Sequence, residues 1–265
     1  MHRLKIFVLA FVMSLVLSSC KEESTMEVSV KKMLVPLYSY PSSNDSWERL
    51  IALKNNTNNL EIVAIVNQSN GDFTQPSTSY INGIESLHNA GIDIVGYVYT
   101  QYSQRPIDEV KQNIDAWVEF YKPYGLKGFF FDEASNDEKD FEYYKNITQY
   151  AQSKGMKFNI LNPGTSVDSV YMEGDIASVV VIRETTYTKV VETTNLHQPT
   201  EYTKKALLLY SSDQENMVQK VCSYALEHNF EYVYATDHGI TDDRWDSLSS
   251  YVNELAVLIS KGCKN

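Results

Sequence analysis

The sequence predicts a single-domain (β/α)8 barrel, and three observations support this fold class. Eight short apolar segments alternate with stretches of helical periodicity, which is the pattern of βα units in a parallel sheet. The chain has 265 residues, and such a barrel typically takes about 250. No Gly-rich phosphate-binding run follows the first strand, so the main competitor, an open doubly wound nucleotide-binding sheet, has no support.

The eight predicted strands are short apolar runs, several of them rich in β-branched or aromatic residues. In chain order they are Met33–Tyr38, Leu60–Asn67, Ile92–Thr100, Leu126–Asp132, Met156–Leu161, Ile176–Arg183, Ala206–Tyr210 and Phe230–Thr236.

The helices between them are predicted from amphipathic spacing, which is clearest where apolar residues recur every three to four positions from Ile107 to Tyr121. Gly91, Gly125 and Gly155 follow three of these stretches and suit left-handed helix caps. The segments after strands five and six, with Pro163-Gly164 and Thr185–Thr194, are predicted as loops. The predicted helices are Asp45–Lys54, Thr78–Ala90, Ile107–Tyr121, Asp137–Lys154, Gln214–Asn229 and Asp243–Ser260.

The N-terminus predicts an exported lipoprotein. A basic start precedes the apolar run Ile6–Leu17, which is too short to span a bilayer, and Ser18-Ser19-Cys20 follows. Leu17–Cys20 resembles a bacterial lipobox, so Cys20 is the expected lipidation site and the outer membrane or cell surface the expected location. An ordinary signal peptide that contains a cysteine is the alternative. We therefore divide the chain into a leader (1–19), a polar tether (20–32) and one barrel domain (33–265).

The composition limits the partners. A formal charge of −11 disfavours nucleic acid, whose binding depends on Lys and Arg, and suits a cationic partner such as an amino-sugar polymer. No CxxC or His-rich cluster indicates a metal, and no cofactor is expected. Cys222 and Cys263 are either one disulfide or two buried thiols. We expect a monomer.

Polar side chains gather at the ends of the predicted strands. The most informative is the pair Asp132-Glu133, which ends the aromatic strand Leu126–Asp132, and Glu184 follows strand six. The carboxyl ends of barrel strands meet at one mouth, where such residues form a ring that suits sugar hydroxyls and rings. The other candidates, which we assign to substrate binding, are Tyr38, Asn67, Tyr97, Tyr99, Asn162, Tyr210 and Asp237.

The spacing of strands favours Asp132 and Glu184 as a working pair. Strands four and six lie about two interstrand spacings apart, and converging inward side chains can bring the carboxyl groups to the roughly 5–5.5 Å of retaining glycosidases, whereas inverting pairs stand roughly 6.5–9.5 Å apart. Asp132 and Glu133 are consecutive, so in a regular strand only one of them faces the lumen squarely. Glu133 reaches the cleft or bonds a neighbour only where the pleat breaks.

Each candidate also has a purely structural interpretation. Asp132-Glu133 can cap the next helix, and Glu184 can be an exposed loop residue. Asn67 and Asn162 are common turn formers. Tyr97 and Tyr99 can be packing residues, and Asp237-His238 is a turn or a substrate contact, without a nucleophile for a triad. Polar residues at the ends of all eight predicted strands are stronger evidence for a functional site than any single residue is.

A family resemblance adds to this interpretation. Gly96–Arg105, then Val110, Ile114–Trp117, Tyr121 and Gly128–Glu133, closely resemble the spherulation-specific (spherulin-4) family, and the pattern continues through Tyr143-Tyr144 and Asn162–Gly164. The family loop after strand two often contains Asn-Pro and Gly-Pro-Gly, whereas this chain has Asn67–Phe73, which leaves substrate preference at that loop open.

The resemblance implies a (β/α)8 glycoside hydrolase that cuts α-1,4-linked galactosamine or N-acetylgalactosamine in microbial exopolysaccharide such as biofilm polymer. It also implies that Asp132, Glu133 and Glu184 are the required acids, with Glu184 matched by strand position only. Two rival hypotheses remain: a glycan-binding lipoprotein without catalysis, and a hydrolase for another linkage.

Overall fold

Eight parallel strands close into a barrel in chain order, which confirms the predicted fold class. The computed structural model describes residues 30, 32–192, 200, 203–239 and 243–264. The strands are β1 (Lys32–Leu37), β2 (Glu61–Val66), β3 (Asp93–Tyr99), β4 (Leu126–Asp132), β5 (Phe158–Leu161), β6 (Val179–Thr186), β7 (Lys204–Tyr210) and β8 (Tyr232–Ala235).

Helices follow the strands, and two of them are single turns. The short ones come after β5 and β6, where the sequence predicts loops. The predicted helix Ile107–Tyr121 has the observed bounds. The described helices are α1 (Ser46–Asn56), α2 (Thr78–Asn89), α3 (Ile107–Tyr121), α4 (Phe141–Ser153), α5 (Val170–Glu173), α6 (Tyr187–Val190), α7 (Met217–Glu227) and α8 (Val252–Ser260).

The packing of α3 on β3 decides which side chains of β3 face the lumen. Gly96 faces outward, and a Cβ there would lie 2.7 Å from the Trp117 ring, so only glycine admits the indole. The Trp117 indole N–H donates to the Tyr97 carbonyl at 3.1 Å. Because side chains alternate along a strand, the outward position of Gly96 turns Tyr97 inward. The Tyr97 ring lies 6.1 Å from that of Phe130 on β4.

A second close approach joins β4 to β5. A Cβ on Gly128 would lie 1.7 Å from the Phe158 carbonyl oxygen, so the two backbones meet where no side chain fits. Phe129 and Phe131 flank the inward Phe130, and all three are fully buried. Asp132 therefore ends a strand with little freedom to move, which fixes the position of its carboxylate.

The observed bounds differ from the predicted ones at several elements, and two of these differences concern the site. Strand β6 runs to Thr186, so Glu184 lies inside it and not after it. The pairing of β6 with β7 shifts between Val181 and Arg183, which marks a bulge, and Thr185 and Thr186 then pair with β7. Threonine is β-branched and suits a strand, although a Thr-rich run resembles a loop in sequence.

The last helix is shorter than predicted. It begins at Val252 and not at Asp243, because the preceding residues form turns held by side-chain bonds. The carboxylate of Asp237, just after β8, accepts hydrogen bonds from the Ser249 hydroxyl at 3.1 Å and the Ser250 backbone N–H at 3.0 Å. These bonds compete with helical ones at the start of the segment.

Of the two alternatives for Cys222 and Cys263, the structure shows the disulfide. Cys222 in α7 and Cys263 just after α8 form a disulfide with their Cα atoms 5.2 Å apart. The bridge ties the last helix to its neighbour and closes the end of the chain onto the barrel. None of the helices in the described ranges has the length and apolar character to cross a bilayer.

We predict that the double variant Cys222→Ala/Cys263→Ala is less stable by about 2–4 kcal/mol, since the bridge closes a large loop and restricts the unfolded chain. The two cysteines are 41 positions apart. Urea unfolding followed by circular dichroism measures the difference. Treating the parent protein with reductant under the same conditions should reproduce it, and equal midpoints for parent and variant would exclude a stabilising role.

Candidate functional site

Two carboxylates at the barrel mouth share one amide. The Asn162 side-chain nitrogen donates to an oxygen of Asp132 at 2.6 Å and to an oxygen of Glu184 at 2.7 Å. Asn162 follows β5, between the strands that carry the two acids, and is 5% exposed. Because both partners are acceptors, the NH2 group must face them. The structure therefore brings together three of the predicted site residues, since Asp132 and Glu184 both hydrogen-bond the Asn162 amide.

The local backbone explains how Glu184 reaches this position. The bulge in β6 changes the register just before Glu184, and its backbone N–H donates to the Gly164 carbonyl at 3.0 Å. Gly164 has φ +65°, and a Cβ there would lie 3.4 Å from the Glu184 side chain. The predicted loop Asn162–Gly164 thus folds over Glu184 and presents the amide to both acids.

Tyrosines form the wall on the other side of Asp132. The Tyr97 hydroxyl donates to the second carboxylate oxygen of Asp132 at 2.6 Å. Tyr38, just after β1, meets the Tyr97 ring edge-on with centroids 5.5 Å apart. Burial and the nearby charge of Asp132 raise the pKa of both hydroxyls well above the usual range, so both remain protonated donors.

Burial and hydrogen bonding act in opposite directions on the pKa of Asp132. Burial raises the pKa of its carboxyl. Hydrogen bonds from Tyr97, from the Glu133 backbone N–H and from Asn162 act against burial and stabilise the ionised form. The Asp132 side chain is half-buried. Asp132 is thus the acid with donors on both oxygens.

Burial and then the charge of Asp132 raise the pKa of Glu184. The Asn162 amide, the positive charge of Arg244 and a hydrogen bond from Trp245 lower it only in part. Two close carboxylates resist double ionisation, and the charge of Asp132 raises the pKa of Glu184, so the last proton of the pair resides more favourably on Glu184.

Glu133 has an unusual backbone conformation and lines a cleft that also includes Tyr97, the hydrogen-bond partner of Asp132. Its φ is +50°, in the left-handed region, which breaks the alternation of the strand after Asp132. Its side chain lines an open, polar cleft of 650 Å³, and burial and the Asp132 charge raise its pKa. The cleft lining is Ser69, Asn70, Asp72, Tyr97, Tyr99, Gln101 and Glu133.

Two further predicted tyrosines lie at the mouth and are each covered by an arginine. The guanidinium of buried Arg105 lies 4.1 Å from the centroid of the Tyr99 ring, and Tyr99 lines the cleft. The Arg244 guanidinium lies 4.1 Å from the centroid of Tyr210, the last residue of β7. These contacts hold the ring positions by cation–π attraction.

Two predicted binding residues have their polar atoms occupied within their own turns. The Asn67 side chain bonds the backbone N–H of Asn70 at 2.8 Å and the Asn70 side chain at 3.2 Å, so it shapes the loop whose next residues line the cleft. Asp237 binds Ser249 and Ser250 and borders another hollow beside α7 and α8. The predicted lipidation site Cys20 lies outside the described residues.

Sequence reasoning missed Arg244 and Trp245, which both act on Glu184. They lie in the turn segment before α8, which the amphipathic pattern assigned to a helix. A tryptophan and an arginine side by side within ten residues after the last strand end were the available signal. Trp245 is 7% exposed, and its backbone carbonyl accepts from the Tyr38 backbone N–H at 3.2 Å, so this segment closes over the mouth.

The fold and site together define a class: a single-domain (β/α)8 barrel with a carboxylate pair and a carboxylate-lined cleft at the carboxyl ends of its strands. Across the described residues, no group of three or more His, Cys, Asp or Glu side chains is arranged to hold a metal ion. A close pair of carboxyl groups with raised pKa values, beside a tyrosine hydroxyl, suits proton transfer and nucleophilic attack.

The chain belongs to spherulation-specific family 4, whose sequence profile matches residues 32–259. It is 40% identical over 156 residues to Spherulin-4 of Physarum polycephalum, and the match covers 58% of this chain and 44% of that relative. The chain thus spans less than half the length of the curated relative that it matches.

Solved structures share the fold at low identity. The crystal structure of Aspergillus clavatus Sph3 in complex with GalNAc has a TM-score of 0.76, with 20% identity over 89% of this chain and 99% of that one. Tryptophan synthase from M. tuberculosis has a TM-score of 0.52, with 11% identity over 90% of this chain and 94% of that one. Because the same barrel supports such different proteins, the fold alone does not decide the activity.

We predict that Tyr97→Phe raises the pKa of Asp132, since it removes a hydrogen bond that favours the ionised carboxylate. Carboxyl-carbon NMR titration reads the shift directly. The matched control is Tyr150→Phe, which removes a similar tyrosine-to-aspartate bond to Asp115, 2.8 Å long, outside the cleft. An Asp132 titration that is unchanged by Tyr97→Phe, or that moves equally in the control, would contradict this account.

Proposed function

We propose that this chain is an exported, lipid-anchored endo-glycoside hydrolase that cleaves an amino-sugar polysaccharide, with α-1,4-linked galactosamine or N-acetylgalactosamine as the substrate class. The observation that carries the proposal is the pair Asp132 and Glu184 on one amide. One oxygen of each acid hydrogen-bonds the Asn162 nitrogen, at 2.6 and 2.7 Å, so the two carboxyl groups are close enough to act on one glycosidic bond, as the pairs of retaining glycosidases do at roughly 5–5.5 Å.

The electrostatics support separate roles for the two acids. Asp132, with donors on both oxygens, stays ionised and attacks the anomeric carbon as nucleophile. Glu184, whose pKa is raised by burial and by Asp132, protonates the leaving oxygen and then serves as base for the water that releases the product. Glu133 binds substrate at the cleft wall.

A second retaining route applies to a β-linked N-acetylated sugar, in which the acetamide stands trans to the leaving oxygen. There the acetamide oxygen attacks the anomeric carbon, and Asp132 orients the acetamide while Glu184 keeps its role as acid. In an α-linked sugar the acetamide is cis to the leaving oxygen, and a free amino sugar has none, so cleavage of either requires Asp132 as nucleophile. Comparing turnover on α-linked and β-linked N-acetylated polymers therefore separates the two routes.

The substrate class has independent support. The chain carries a formal charge of −11, and the cleft wall contains Asp72 and Glu133, so the site attracts cationic amino sugar. The related barrel of Sph3 was solved in complex with GalNAc. Membership of the spherulin family, whose motif includes Asp132-Glu133, agrees with this assignment.

The two rival functions are separable by product analysis. A binding lipoprotein without catalysis would hold the polymer and release no reducing ends. A hydrolase for another linkage would release them from a different member of a polysaccharide panel, identified by product mass. Release of galactosamine oligosaccharides by the parent protein supports the proposal against both.

We predict that Asp132→Asn and Glu184→Gln each lower kcat on the purified polymer by at least about 1,000-fold, since each removes a group that acts at the reacting atoms. Reducing-end release measures the effect. The matched controls are Asp108→Asn and Glu119→Gln, which make the same changes on the exposed face of α3. Near-parental turnover by either site variant would remove that residue from the mechanism.

The lipid anchor generates a separate prediction. Cys20→Ser should move the protein from the detergent-soluble membrane fraction to the aqueous fraction and abolish incorporation of labelled fatty acid, since the thiol is the acceptor. Cys222→Ala/Cys263→Ala in the same assay should still incorporate the label. A Cys20→Ser protein that remains lipidated would exclude this residue as the anchor.

A further inference from the structure

One large aromatic side chain near the carboxylate pair is exposed. Tyr102 is 56% exposed, the highest value among the large apolar side chains of the described residues. It belongs to the loop after β3, next to Gln101, which lines the cleft. A single exposed aromatic is ordinary by itself, so the backbone conformation and the bonds of its loop decide whether this one has a role at the cleft rim.

The loop holds Tyr102 in a costly conformation. Gln101, Tyr102 and Ser103 are three consecutive left-handed residues, with φ of 50°, 52° and 68°, and none of them is glycine. Such backbone is disfavoured for residues with a Cβ and persists where surrounding bonds impose it, often at ligand sites. The loop aims a bulky side chain outward at the expense of backbone stability.

Hydrogen bonds attach this loop to the backbone of Asp132 and Glu133. The Tyr102 N–H donates to the Glu133 carbonyl at 2.7 Å, and the Thr100 N–H donates to the Asp132 carbonyl at 2.9 Å. The Thr100 hydroxyl bonds both of these carbonyls at 2.9 Å. The loop and the strand end that carries Asp132 are therefore joined by hydrogen bonds, and the backbone of Tyr102 has a fixed position relative to that of Asp132.

Electrostatics also indicate that the Tyr102 hydroxyl lies near the site. Burial and then the charges of Glu133, Asp132 and Glu184 raise its pKa. Tyr40, the other exposed tyrosine of the described residues, differs: its ring packs edge-on against Tyr80, 5.5 Å between centroids. Tyr102 is thus exposed beside the carboxylates, whereas Tyr40 is exposed apart from them.

We propose that Tyr102 is a saccharide-binding platform, on which the apolar C–H face of a pyranose ring stacks one or more units away from the scissile bond, with Gln101 and Glu133 available to its polar groups. This inference rests on the proposed function and names a subsite for it. The rigid backbone supports the stacking energetics, because a preset ring loses little freedom on binding.

The test measures the affinity of the inactive Glu184→Gln protein for a hexamer of α-1,4-linked N-acetylgalactosamine, its de-N-acetylated form, and the monosaccharide. Adding Tyr102→Ala should raise Kd for a hexamer about tenfold and leave Kd for the monosaccharide within about twofold, because only the longer ligand reaches the platform. Tyr102→Phe keeps the ring and should stay within about twofold. Alanine retains the Cβ, so the left-handed strain is the same in parent and variant.

Tyr40→Ala is the matched control, since it removes an exposed tyrosine apart from the acids, and its Kd values should equal those of the parent. Hexamer affinity that is unchanged in Tyr102→Ala overturns the platform and leaves the proposed function intact. An equal loss for monosaccharide and hexamer overturns it too, since that result indicates general damage to the site. If the parent binds neither hexamer, both the platform and the proposed substrate class fail.

Discussion

The site depends on one constraint: two carboxylates at the barrel mouth are kept close by a single amide. Half-buried acids at this distance repel each other, and the Asn162 NH2 group is the common donor that offsets the repulsion, with one hydrogen for each acid. A residue without two donor hydrogens cannot bridge them. The turn at Gly164 and the bulge in β6 both serve this geometry, because together they place Glu184 within reach of the amide.

The fold supports the pair from outside the lumen. Trp117 against Gly96 turns Tyr97 inward, where its hydroxyl meets Asp132, and Gly128 lets β4 approach β5, which carries Asn162 at its end. Both contacts lie on the helix side or within the sheet, away from the cleft. Packing between the helices and the outer face of the barrel therefore determines which hydrogen bonds form inside it. The polar side chains take their positions because Gly96 and Gly128 have no side chain at these close contacts.

The sequence predicted what is encoded locally and missed what depends on approach between distant segments. Strand β4 and helix α3 have the predicted bounds, since apolar periodicity and the acidic end of the strand are local signals. Asn162 was equally consistent with a turn, because only the closed barrel brings it between two acids. The bulge that keeps Glu184 inside β6 has no pattern of its own, and Trp245 acts across the mouth from a segment that resembles a helix.

The two acids differ through their surroundings and not through their side-chain chemistry. Both are half-buried and both have raised pKa values, so desolvation alone does not separate them. Asp132 accepts hydrogen bonds from the Tyr97 hydroxyl, from the Glu133 backbone N–H and from one hydrogen of the Asn162 amide, and all three stabilise its ionised form. Glu184 receives the other Asn162 hydrogen, a hydrogen bond from Trp245 and the positive charge of Arg244, but burial and the charge of Asp132 outweigh them. Asp132 thus ionises before Glu184, because its donors stabilise its charge and that charge then raises the pKa of its neighbour.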